Sequence, residues 1–112
     1  MASILWTDRA RADLVEIGDY IAQRSPSIAL RFVDELLERA LILSEQPRSG
    51  RIVSEIGAED IRELIHGTYR IVYRLSGDEA HILTVFEGHR IFGLTSLEPS
   101  DSIDQGSGEE YV

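Results

Sequence analysis

Eleven arginines and no lysine supply the fixed positive side-chain charge of this 112-residue chain. Where they fall decides what chemistry they can do. Between Tyr69 and Leu75 the residue types alternate, with Tyr69, Ile71, Tyr73 and Leu75 on one set of positions and Arg70, Val72 and Arg74 on the other. Successive side chains of a strand point to opposite faces, so the two sets separate in space. The first set is expected to pack under a covering layer. The second is expected to form an open face, joined by Arg62 and by Arg90 just after the next strand. Several guanidiniums around a partly apolar sheet suit carboxylates or phosphates, because arginine presents planar bidentate donors. The competing reading is a solvated face whose arginines pair with Glu63, Glu79 or Glu87.

Other chemistries find little support. His66, His81 and His89 have neither the i,i+4 spacing of a metalloprotease helix nor any zinc-like spacing, and read as surface histidines. His89 keeps a possible role through its neighbour Arg90. There is no cysteine, which excludes disulfides and thiolate metal sites and fits a reducing compartment. No G-x-S-x-G elbow occurs, and Gly50, Gly57, Gly67, Gly77 and Gly88 each stand alone in turns, not in a phosphate-binding loop. Carboxylates such as Asp34, Glu35 and Glu38 read as a solvated helix face, with Glu35 and Arg39 spaced for an i,i+4 pair. No cofactor, no metal and no catalytic residue is assigned.

The net charge of −9 narrows the partners. Glu98, Asp101, Asp104, Glu109 and Glu110 give the last fifteen residues five acids and no base, and residues 1–97 still carry 15 acids against 11 arginines. Binding along a phosphate backbone needs a clustered positive field. Direct nucleic-acid binding is therefore disfavoured, a local arginine patch aside. No apolar run approaches the roughly 20 residues that cross a bilayer, and the opening lacks the basic and apolar regions of an export signal. A cytoplasmic protein is expected.

The elements that must position these residues follow from periodicity. Ile4, Leu5 and Trp6 suggest a short edge strand. Thr7 then offers an N-cap, and Ala10, Leu14, Ile17 and Ile21 share one face of a helix over about Asp8 to Gln23. Ser25-Pro26 opens a second helix, whose apolar residues from Ala29 to Leu43 carry it to about Gln46, before Pro47. So short a link implies an antiparallel hairpin of helices. A loop with at most one short strand follows. The period then changes to two, for strands over Ile61–Ile65, Tyr69–Leu75 and Ala80–Glu87. The expected fold is two-layer α+β, with a strand, a helical hairpin and an antiparallel three-stranded meander completing the sheet. Ile91 to Leu97 reads equally as a last strand or a turn of helix. One domain over 1–97 and an acidic, Gly/Ser-rich, disordered 98–112 are expected.

Trp6-Thr7, Ala10, Asp13-Leu14, Tyr20-Ile21-Ala22, Ser25-Pro26, Ala29, Pro47 and Gly50-Arg51 resemble the opening half of ParE-type toxins of the ParE/RelE superfamily. Ile61-Arg62-Glu63-Leu64, Tyr69-Arg70-Ile71-Val72-Tyr73-Arg74, Val85-Phe86 and Gly88-His89-Arg90 resemble the closing half. The resemblance runs in order from residue 4 to about 95 and implies the toxin of a type II toxin–antitoxin system, which stabilises plasmids or arrests growth. It implies inhibition of DNA gyrase by binding, and neutralisation by an antitoxin whose extended, partly helical C-terminal segment wraps the toxin. The expected contact runs along the helical hairpin and the sheet face near Arg62, Arg70, Arg74, His89 and Arg90. In the RelE-like, mRNA-cleaving branch, Arg70 and Arg90 would match the family's two arginines. Ile61, Glu63 and Ser96 stand where that branch looks for basic residues and a tyrosine, which disfavours cleavage. A decayed toxin that only binds its antitoxin is the third reading. The acidic end departs from the pattern and reads as an inert extension, with mimicry of DNA phosphate as the alternative.

Overall fold

Thr7 shows how the chain turns from strand to helix. The structure is a computed structural model that describes residues 1–88. Strand β1 (Ser3–Trp6) ends at Thr7, whose hydroxyl accepts from Ala10 N at 3.1 Å and donates to Ile82 O at 2.8 Å. One side chain thus caps helix α1 (Asp8–Ala22) and ties its start to the sheet. Ser25 caps α2 (Pro26–Ala40) in the same way, with Pro26 in the first turn, where its missing donor costs nothing. The second helix stops short of the expected Gln46. Leu41 N–H bonds back three residues to Glu38 O, which tightens the turn, and a separate α3 (Ile42–Glu45) seats Leu43 fully in the core.

Strands β2 (Arg51–Ile52), β3 (Ile61–His66), β4 (Tyr69–Ser76) and β5 (Glu79–Glu87) complete a five-stranded sheet in the order β1-β5-β4-β3-β2. The meander is antiparallel, while β1 lies parallel to β5, with Ile4 opposite Ala80 and Trp6 opposite Ile82. The expected two-layer α+β architecture is the one observed. Leu14, Leu36, Ala40 and Leu43 from the helices meet Leu64, Ile71, Tyr73 and Ile82 from the sheet. Tyr69 and Leu75 pack at the margin of this core. The alternation read from Tyr69 to Leu75 therefore sorts its faces as expected.

The second face is less open than alternation implies. Residues 53–60 fold over it, and Val53, Ile61, Val72 and Leu83 form a smaller core with Ile56, Ala58 and Phe86 at its edge. A one-residue irregularity in β5 shifts the register, since Val72 faces Thr84 while Tyr73 faces Ile82. Leu83 is the residue without a partner across the ladder.

Because β1 ends at Trp6, no strand among the described residues flanks β5 beyond Ile82 on that side. Asp13 of α1 fills the gap. Its Oδ2 accepts from Val85 N at 3.0 Å and from the Thr84 hydroxyl. Asp13→Ala should lower the unfolding free energy by about 1–3 kcal/mol, the cost of leaving polar groups without partners. Asp13→Asn keeps an acceptor and should cost less. Urea denaturation of the two variants checks the order.

Candidate functional site

The middle of β4 places Arg70 between Ile65 of β3 and Phe86 of β5. The residue is only 7% exposed, so its charge must be answered nearby. Glu63 Oε1 accepts from Nε at 2.5 Å, and the two Glu55 oxygens accept from the terminal nitrogens at 2.9 and 3.1 Å. Gly88 O accepts at 3.3 Å, and the guanidinium lies 5.4 Å from the centre of the Phe86 ring. Glu63, itself 3% exposed, uses its second oxygen to accept from Arg51 at 2.7 Å. Arg51, Glu63, Arg70 and Glu55 thus form a chain of alternating charges that sums to zero. This arrangement holds the covering segment down and leaves Arg70 few donors for any outside phosphate.

The hydrogen bonds from Arg70, ahead of the opposing effect of burial, hold the Glu55 carboxyl below its ordinary 4.5. Those same bonds push the Arg70 guanidinium up. A depressed folded-state pKa contributes stability above the unfolded value and loses it as pH falls through the folded value. Stability should therefore drop as pH falls below 4.5, and Glu55→Gln should flatten that part of the profile. Denaturation midpoints on either side of pH 4.5 check this.

The other arginines read from sequence part company. Arg74 shares the face of Arg70 and lies 3.4 Å from Asp60. Arg62 stands opposite Tyr73, on the helix side of the sheet and not on the face of Arg70, because the two differ by an odd number of steps across the ladder. Its guanidinium donates to the carbonyls of Glu59, Arg48 and Gly50. His89 and Arg90 lie outside the described residues, as do Ile91–Leu97 and the acidic end. Of the carboxylates expected to answer the arginines, only Glu63 does so. Glu79 instead lies 2.8 Å from His81, and the Glu35–Arg39 pair is replaced by Glu35 with His66 and Arg39 with Ile65 O. Glu55 and Asp60 escaped the sequence reading because they sit in a segment without periodicity. The signal available was apolar Val53, Ile56 and Ala58 interleaved with those acids.

A second surface lies on the outer side of the helical hairpin. Leu14, Val15, Ala22, Ala29, Leu30 and Val33 line an apolar groove of about 430 Å³ between α1 and α2. Gly18 lets the helices approach, since a Cβ there would lie 3.3 Å from Val33 Cγ2. Val15 is 63% and Leu30 71% exposed, so the groove presents apolar side chains to solvent, with Asp19 among its lining residues. No cluster of metal-ligating side chains occurs among the described residues. None of their helices is long and apolar enough to cross a membrane.

Residues 4–92 match the family model of the ParE toxin of the type II toxin–antitoxin system, parDE. Toxin RelE2 of Caulobacter vibrioides is 37% identical over 92 residues, covering 81% of this chain and 100% of the relative. A solved structure described as the chromosomal ParDE TA system from P. aeruginosa is similar at a TM-score of 0.66 and 28% identity, over 78% of this chain and 96% of that one. With a two-helix hairpin on a five-stranded mixed sheet, and a family match over most of its length, this chain belongs to the ParE toxin family of type II toxin–antitoxin systems.

Proposed function

We propose that the chain acts by binding a protein target, DNA gyrase, and not by cutting RNA, and that a cognate antitoxin holds it inactive. The observation that carries this reading is the state of Arg70. A nuclease arginine must meet a phosphate as negative charge develops. Arg70 is instead buried and committed to Glu63 and Glu55. Moving Glu55 aside would still leave Glu63, a fixed negative charge, where a cleaving site needs a positive one. Purified chain added to supercoiling and translation assays tests the reading. Lost supercoiling with intact translation supports it, and ribosome-dependent mRNA cleavage with gyrase unaffected overturns it.

The antitoxin contact is assigned to the helical hairpin. An amphipathic helix buries its apolar face in a groove of this kind through anchors at i, i+3 or i+4, and i+7. Val15 and Leu30 support little of the toxin's own core, so Val15→Glu with Leu30→Glu should leave the fold intact. A charge in a desolvated groove should weaken antitoxin binding by at least about 2 kcal/mol, some thirtyfold. Titration calorimetry with the antitoxin's C-terminal segment measures it, and unchanged affinity would move the contact elsewhere.

A further inference from the structure

Helix α1 ends at Ala22 with Asp19 in its last turn and no base there to match it. The unpaired carbonyls at a helix C-terminus carry about half a negative charge, so a carboxylate beside them is unfavourable. Asp19 is exposed, and among the described residues its side chain forms no ion pair or hydrogen bond that would offset this. It also lines the groove between α1 and α2, where the other eight lining residues carry no charge. Gly18 precedes it, where the helix meets Val33 of α2, and exposed Val15 lies one turn back, about 6 Å along the axis. A residue that breaks a local rule with no compensating contact inside the fold is expected to serve something outside it.

We infer that Asp19 is a specificity-determining residue of the antitoxin contact, and that the helix seated in the groove sets a lysine or arginine against it. This rests on the assignment of that contact to the hairpin groove. In the free toxin Asp19 is solvated. A helix that covers Val15 and Leu30 strips part of that water, and a carboxylate desolvated without a partner is strongly unfavourable. A cation one turn from the helix's apolar anchors answers it. The partial charge at the end of α1, which opposes Asp19, attracts the same cation, so the carboxylate and the helix end act on it together. An amphipathic helix with an acid or an apolar residue at that place is rejected, because it leaves the carboxylate covered and unpaired. Apolar anchors alone would accept many amphipathic helices, and the single charge selects among them and fixes their register.

Titration calorimetry of the full-length toxin with the cognate antitoxin's C-terminal segment, made as a peptide, measures the contact. Asp19→Asn should weaken binding about tenfold and reduce its dependence on salt. The same variant should raise the thermal midpoint of the free toxin by about 1–3 °C, whereas a carboxylate that supports the fold would lower it on removal. Glu16→Gln makes the same change of charge on the neighbouring flank of α1, in a separate cleft facing Val85 and Glu87. It should leave the affinity within about twofold. Replacing each lysine and arginine of the peptide in turn by methionine should find one whose loss costs little more once Asp19 is Asn. If Val15→Glu with Leu30→Glu weakens binding while Asp19→Asn does not, the groove holds the antitoxin and this inference alone falls. If neither weakens it, the contact lies elsewhere and both readings fall. Equal weakening by Glu16→Gln and Asp19→Asn makes the effect one of overall charge and also overturns the inference.

Discussion

Arg70→Ala should lower the unfolding free energy by about 3–5 kcal/mol, the cost of breaking a buried pair while its partner charge remains. Glu63 is the reason. Its carboxylate is 3% exposed and would keep only Arg51, whose side chain is 68% exposed. Glu55 adds less, because it can turn to water. The second part of the expectation separates structure from recognition. Arg70→Met combined with Glu63→Leu removes both buried charges and should recover most of the lost stability. Urea denaturation of the single and double variants decides it. If Arg70→Ala unfolds at the same midpoint as the parent, the buried cluster is not the support described here. Loss of toxicity in Arg70 variants then has to be read at a temperature where the variant remains folded.

Gly50→Ala should be nearly as damaging for a different reason. A Cβ at that position would lie 2.6 Å from Glu63 O, 2.6 Å from the Tyr73 hydroxyl and 2.8 Å from Tyr73 Cε1. Neither neighbour can retreat easily, since one is strand backbone and the other is fully buried. Tyr73 OH also accepts from Gly50 N at 2.9 Å and donates to Pro47 O at 2.8 Å, pinning the turn to the core. Overpacking costs about 1–3 kcal/mol, and loss of the buried hydrogen bonds a further 1–3 kcal/mol. Tyr73→Phe alone should cost only the second share. The double variant should not rescue Gly50→Ala, because Glu63 O and the ring edge still stand in the way. A recovered thermal midpoint in the double variant would assign the clash to the hydroxyl alone.

Periodicity made most of the fold legible. Ala10, Leu14 and Ile17 announced one helix and Ala29 through Leu43 the next, because a helix that buries one face must repeat apolar residues at its own pitch. Tyr69 to Leu75 announced a strand with two unlike faces. The site was less legible, because burial of Arg70 depends on Glu55 and the pairing of Arg74 on Asp60, and both acids lie in a segment with no repeat. Arg62 shows the same limit. Its face is set by pairing with Tyr73, and register is a tertiary fact that one strand's alternation does not contain. The hairpin groove was expected from the family resemblance, while its floor at Gly18 depends on how closely two helices approach.

The parallel pairing of β1 with β5 also sets when the molecule can exist during synthesis. Thr7 finds Ile82 across 75 residues of chain, and Asp13 finds Thr84 across 71. Domains fold as units as the chain emerges, and contacts this distant form late. The helical hairpin can assemble early, but the sheet beneath it, and the strand that anchors its first turn, are complete only once β5 has been made. A ribosome part-way through this message therefore carries a pair of helices and no finished toxin, which delays harm until nearly the whole domain has been made.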